Sequence, residues 1–126
     1  MIKKILLIDD DQVTNFLNRK LIEQSNTPIE VKTVSSVMDA IVFLRENKSN
    51  WIPDVIFIDI FMPIKSGWDF LEEFQQEFES QATTIKLYML SSSREDEDIT
   101  KAKDHFLVKD YITKPLTSNI LGDILS

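Results

Sequence analysis

The sequence has no cysteine, only two glycines and one histidine among its 126 residues. Without cysteine there is no disulfide scaffold, zinc–thiolate centre or thiol nucleophile. Two glycines are too few for a glycine-rich loop that cradles phosphates. The lone His105, close to the end of a helical pattern, reads as a surface or capping residue. Long apolar runs are missing too. Lys3 and Lys4 ahead of Ile5–Ile8 imitate the start of an export signal, but Asp9, Asp10 and Asp11 end that run early. The expectation is a cytoplasmic protein with no membrane insertion. Basic residues are in deficit, 14 Lys and Arg against 21 Asp and Glu, and the net charge of −7 opposes direct binding of nucleic acid. No repeat, low-complexity tract or linker interrupts the chain, so residues 1–126 read as one domain.

What is present is an alternation. Apolar runs suited to strands lie at Ile5–Ile8, Ile29–Val34, Val55–Ile58, Leu87–Leu90 and Leu107–Ile112. Between them, helical spacing joins Val13, Phe16, Leu17 and Leu21, then Val37, Ala40, Ile41 and Leu44, then Phe70, Leu71, Phe74 and Phe78. A fourth helix is marked by Ile99, Ala102 and Phe106, and a fifth by Ile120, Leu121, Ile124 and Leu125. Ser36 and Asp39 outline a capping box at the second helix. The acidic run Glu95–Asp98 suits the positive end of the fourth helix. Trp51 and Trp68 read as loop and helix-packing aromatics.

Five strands alternating with five helices predict an α/β fold, a doubly wound parallel sheet covered on both faces. Strands one, three and four are continuously apolar, as strands buried on both faces are. Strand two alternates, and strand five carries Lys109 and Asp110, so these two are expected at the edges. The order 2-1-3-4-5 satisfies that, and it reverses direction between strands one and three, where ligands of such sheets bind. Asp9 ends the first of these strands and Asp59 ends the third.

A carboxylate at the end of a central strand has little local structural purpose, since Asp is depleted in strands. The triplet Asp9–Asp11 alone could simply cap a helix. Convergence of Asp9, Asp10 and Asp59 would raise a pKa or recruit a cation, and hard oxygen ligands in a partly open site suit Mg2+ and phosphoryl transfer. Ser91 and Lys114, at the ends of strands four and five, could donate to and neutralise phosphoryl oxygens.

Asp9-Asp10, Asp59-Ile60-Phe61-Met62-Pro63, Gly67, Ser91 and Tyr111-Ile112-Thr113-Lys114-Pro115 stand in an order and spacing that resembles the response regulator receiver family, single-domain and chemotaxis-type, along the whole chain. The resemblance implies a flavodoxin-like fold with Asp59 as phosphoacceptor. It implies that Asp9, Asp10, Asp59 and the backbone carbonyl of Phe61 hold Mg2+, and that Lys114 and Ser91 bind the phosphoryl oxygens. It further implies a cis Lys114–Pro115 bond and an inward turn of Tyr111 when Ser91 is drawn to the phosphoryl group. The partners it implies are a histidine kinase or histidine phosphotransfer protein and an unidentified downstream protein that reads the face of the fourth helix, fifth strand and fifth helix. Such a chain takes part in phosphotransfer and dephosphorylates itself, without being a conventional turnover enzyme. Ser91 stands where threonine is usual, Phe61 and Ser93 flank the site, and Ala102–Leu107 lacks the usual Gly-Ala.

Three rivals remain. A receiver-like module working without phosphorylation would normally have lost an acidic ligand, the acceptor or the lysine. An aspartate-nucleophile phosphatase would need a second acid near the nucleophile, where Ile60 and Phe61 stand, and a cap. A flavodoxin-like nucleotide binder would need the missing phosphate loop.

Overall fold

The computed structural model describes residues 3–126. In chain order the elements are β1 (Lys3–Ile8), α1 (Gln12–Glu23), β2 (Ile29–Val34), α2 (Val37–Glu46), β3 (Val55–Ile58) and α3 (Gly67–Glu77). There follow α4 (Glu79–Ala82), β4 (Lys86–Ser91), α5 (Asp96–Asp104), β5 (Val108–Thr113) and α6 (Ser118–Leu125). All strand pairs are parallel, in the order β2-β1-β3-β4-β5. The expected α/β, flavodoxin-like topology is therefore the observed one.

The period of two in a strand divides each central strand between two cores. Leu6, Ile8, Ile56, Ile58, Leu87 and Met89 face α2, α3 and α5. Ile5, Leu7, Val55, Phe57, Tyr88 and Leu90 join Ile22 of α1 and Leu121 of α6 on the other face. On α3, Phe70 stacks on Phe74 at 5.2 Å between ring centroids. Trp51 lies buried in the loop before β3, edge-on to Phe43, and Trp68 packs against the core under the Lys101 ammonium, 4.4 Å from its ring.

Among the described residues six helices are observed where five were expected. The additional one, α4, is a single turn whose N-cap, Phe78, is also the C-cap of α3. The expected fourth and fifth helices are thus α5 and α6. At α2, Ser36 Oγ accepts the Asp39 N–H. The full reciprocal box belongs to α3, where Ser66 and Asp69 cap each other. His105 caps α5, and its Nδ1 accepts the Leu107 N–H at 3.1 Å.

The apolar stripe of α1 is the larger departure. Val13, Phe16 and Leu17 point into solvent, whereas Asn15, Asn18 and Ile22 are buried. Hydrogen bonds fix the phase of this helix. Asp11 caps it, accepting from the Val13 and Thr14 N–H groups, and Asn15 Nδ2 donates to the Asp9 carbonyl at 2.9 Å and to the Val34 carbonyl at 3.4 Å. These bonds offset the desolvation of Nδ2, while the buried Oδ1 of the same amide has no hydrogen-bond partner among the described residues. Among the described residues no helix is long and apolar enough to cross a membrane.

Candidate functional site

β1 and β3 run side by side with Ile8 opposite Ile58, so the next residue of each, Asp9 and Asp59, must emerge together at the carboxyl edge of the sheet. Backbone bonds extend that pairing beyond the strands. Asp59 N–H donates to the Ile8 carbonyl, and Asp9 N–H donates to the Val34 carbonyl. One carboxylate oxygen from each of Asp9, Asp10 and Asp59 lies within 4.8 Å of the others. Asp9 and Asp59 are buried, only 4% and 9% exposed, while Asp10 is open to solvent.

Lys114 reaches into this cluster from the end of β5. Its Nζ donates to Asp9 Oδ2 at 2.7 Å and to Asp59 Oδ2 at 3.2 Å. The remaining oxygens find backbone donors: Asp11 N–H bonds Asp9 Oδ1, and Ile60 N–H bonds Asp59 Oδ1. Burial pushes the Asp9 carboxyl above its ordinary range, and the charge of Asp59 pushes the same way, against the Lys114 bond that pulls it down. Burial pulls the Lys114 ammonium down, but its bonds and charge pairing with Asp9 and Asp59 outweigh that and leave its pKa raised. Lys114 is thus held charged. Three carboxylates against one ammonium leave a formal surplus of negative charge, and this donor set of hard oxygens fits one divalent cation.

The Lys114 backbone is tied to the end of β4. Its N–H donates to the Ser91 carbonyl at 2.9 Å, and the Lys114–Pro115 bond is cis. Ser91 ends β4 almost fully buried, and its hydroxyl accepts the Ser93 N–H at 3.4 Å. Tyr111 lies in β5 opposite Met89 and is buried, 8% exposed, with its hydroxyl donating to the Ser93 carbonyl at 2.5 Å. Tyr111 thus takes an inward position, its hydroxyl held by the β4–α5 loop. Ser93 Oγ in turn donates to Asp98 Oδ2 at 2.6 Å, tying the β4–α5 loop to the first turn of α5.

The loop after Asp59 is held just as closely. Gly67 N–H donates to the Ile60 carbonyl at 2.7 Å, and a Cβ on Gly67 would stand 2.6 Å from the Asp59 carbonyl oxygen. Only glycine fits there. Between them Lys65 N–H bonds the Pro63 carbonyl at 2.8 Å, closing a γ-turn in which Ile64 takes φ = 72°. Left-handed backbone costs an ordinary residue roughly 1–2 kcal/mol and is rarer still for a β-branched one. The Phe61 side chain projects outward from the same loop.

The structure thus gathers Asp9, Asp10, Asp59 and Lys114 into one cluster, with Ser91 at its wall and Tyr111 one loop further out. Sequence reasoning missed Asn15, which anchors the Asp9 backbone, and, though it set Ser93 beside the site, missed its pairing with Tyr111. An asparagine inside an otherwise apolar helical pattern was the available signal for the first; a serine among three consecutive serines gave none for the second.

The chain matches the sequence profile of the response regulator receiver domain over residues 5–126. It is 28% identical to the chemotaxis protein CheY of Halobacterium salinarum, covering all of this chain and 99% of that one. It is 27% identical to the probable C4-dicarboxylate response regulator DctR of Halalkalibacterium halodurans over 90% of this chain, and spans only 46% of that protein's length. Among solved structures, a two-component response regulator from Cytophaga hutchinsonii superposes with a TM-score of 0.92 at 37% identity, covering 98% of this chain and 94% of that one.

Proposed function

The chain belongs to the response regulator receiver family, and from that premise we propose that it accepts a phosphoryl group from a phosphohistidine onto Asp59. The observation that carries this reading is the Lys114 ammonium bridging two buried carboxylates, Asp9 and Asp59, at the sheet's topological switch point. An Asp59 carboxylate oxygen attacks phosphorus; the new O–P bond forms as the N–P bond to the donor imidazole breaks, and the bonding pair returns to that nitrogen. Lys114 holds its charge against an equatorial phosphoryl oxygen as negative charge shifts there. The Ser91 hydroxyl donates to another. Water later attacks phosphorus, phosphate leaves, and the Asp59 carboxylate is restored.

Asp9, Asp10, Asp59 and the Phe61 backbone carbonyl would hold Mg2+. Bound there, the cation would offset the charge that the phosphoryl group adds to three carboxylates. The partners on this reading are a histidine kinase or histidine phosphotransfer protein as donor, and a downstream protein on the α5–β5–α6 face.

The test is incubation with Mg2+ and acetyl phosphate followed by intact mass. The expected result is one phosphate adduct, lost in Asp59→Asn and absent when the cation is chelated; an adduct that survives Asp59→Asn would sink the reading.

A further inference from the structure

Ile64 combines two features that each weaken the isolated chain. Its backbone is left-handed, and its side chain is 92% exposed. Asparagine or glycine would adopt φ = 72° at lower cost, and a polar side chain would be better solvated. Nor is the turn a loose end. Met62 packs on the core just before it, the Lys65 ammonium bonds Glu73 at 2.9 Å just after it, and the Ser66–Asp69 box and the Gly67–Ile60 bond close the segment onto α3. The loop is fixed and aims a branched apolar side chain at solvent, where it gains no packing from its own chain. Backbone strain retained in this way concentrates at functional sites.

The position of the turn identifies what meets it. Ile64 belongs to the loop that begins at Asp59, and Phe61 of that loop is itself 59% exposed. Val13 is 65% exposed in the first turn of α1, which starts directly after the acidic triplet. Apolar side chains therefore stand on both segments beside the acidic cluster, the loop after Asp59 and the first turn of α1. A donor the size of acetyl phosphate can reach Asp59 without touching them, whereas a protein that presents a phosphohistidine must lay its surrounding surface over this rim.

We propose that Ile64 is a specificity-determining docking residue for the phosphodonor protein, inserting between apolar side chains that surround the donor's phosphohistidine. The proposal rests on the reading of Asp59 as phosphoacceptor. It separates stability from transfer, because the backbone at position 64 prefers asparagine while the partner requires an apolar side chain.

The experiment compares wild type, Ile64→Asn and Ile64→Val with two donors: acetyl phosphate, and a histidine phosphotransfer domain phosphorylated on its histidine. Ile64→Asn should raise Tm by about 3–6 °C. Its labelling by acetyl phosphate should stay within about twofold of wild type while transfer from the protein donor slows roughly tenfold. Ile64→Val keeps the branched apolar side chain and should keep transfer within about twofold. Unchanged transfer to Ile64→Asn overturns the proposal. So does a parallel fall in acetyl phosphate labelling, which would place the effect in the site itself. Labelling of wild type by acetyl phosphate but not by the protein donor overturns the docking role and leaves the phosphoacceptor reading standing; labelling by neither overturns both.

Discussion

The two ends of the sheet handle polar groups differently. At the amino ends of the strands the charged and titratable groups pair locally: Asp54 Oδ2 accepts the Lys4 N–H at 2.8 Å, and His105 Nδ1 accepts the Leu107 N–H. At the carboxyl ends the partners are shared and insufficient. Asp9 and Asp59 divide one ammonium, a loop closes through a left-handed isoleucine, and a backbone carbonyl presses against a glycine that cannot bear a Cβ. Both edges terminate the same five strands, so topology does not require the difference. Buried, mutually repelling charge and retained strain are the marks of a functional edge, and they support placing the proposed phosphoryl transfer there.

Lys114→Met breaks the comparison most directly. Asp9 and Asp59 then lose their shared counter-charge, and phosphoryl oxygens lose their ammonium. Acetyl phosphate labelling measured by intact mass should slow by about a hundredfold or more. A variant still labelled at the wild-type rate would show that the short Lys114 contacts serve the fold alone.

Gly67→Ala asks whether the close approach behind Asp59 carries stability as well as geometry. The added methyl meets a backbone oxygen that cannot swing aside, so either the loop or the start of α3 must shift. A loss of about 1–3 kcal/mol in urea unfolding is expected, with slower labelling because Asp59 moves with its carbonyl. Gly122→Ala is the control: its Cβ meets nothing within 4 Å, and replacing a helical glycine by alanine should stabilise by about 1 kcal/mol.

Much of the candidate edge was legible before the structure. Asp9 and Asp59 follow continuous apolar runs, and such runs are buried strands, so the topology alone brings the two carboxylates together. The rest depended on contacts that no local pattern encodes. Val13, Phe16 and Leu17 have the spacing of a buried helix face, yet hydrogen bonds from Asn15 to two distant carbonyls turn that face outward. Nothing in Met62-Pro63-Ile64-Lys65 announces a left-handed turn, because the residues that usually signal one, glycine and asparagine, are absent from it. Tyr111 was assigned to the right strand, but its hydroxyl partner is a carbonyl in another loop, which no local pattern encodes.

The opposite edge supplies the smallest effect and the sharpest contrast. Burial, aided by the nearby Lys101 charge, pulls the His105 pKa below its ordinary 6.5, and the neutral ring is the form that can accept the Leu107 N–H on Nδ1. The unfolded chain therefore binds a proton at a higher pH than the folded one. Stability is whole above the unfolded value and falls as pH drops through it toward the lower folded value. From about pH 7.5 to about pH 5.5, above the ordinary carboxylate range, His105→Asn should flatten the decline in Tm by about 1–2 °C, because asparagine can cap the same N–H without titrating. Acetyl phosphate labelling of that variant should match wild type at both pH values. A change in labelling would mean that the two edges communicate through α5 and β5, and the division between a structural end and a chemical end would fail there first.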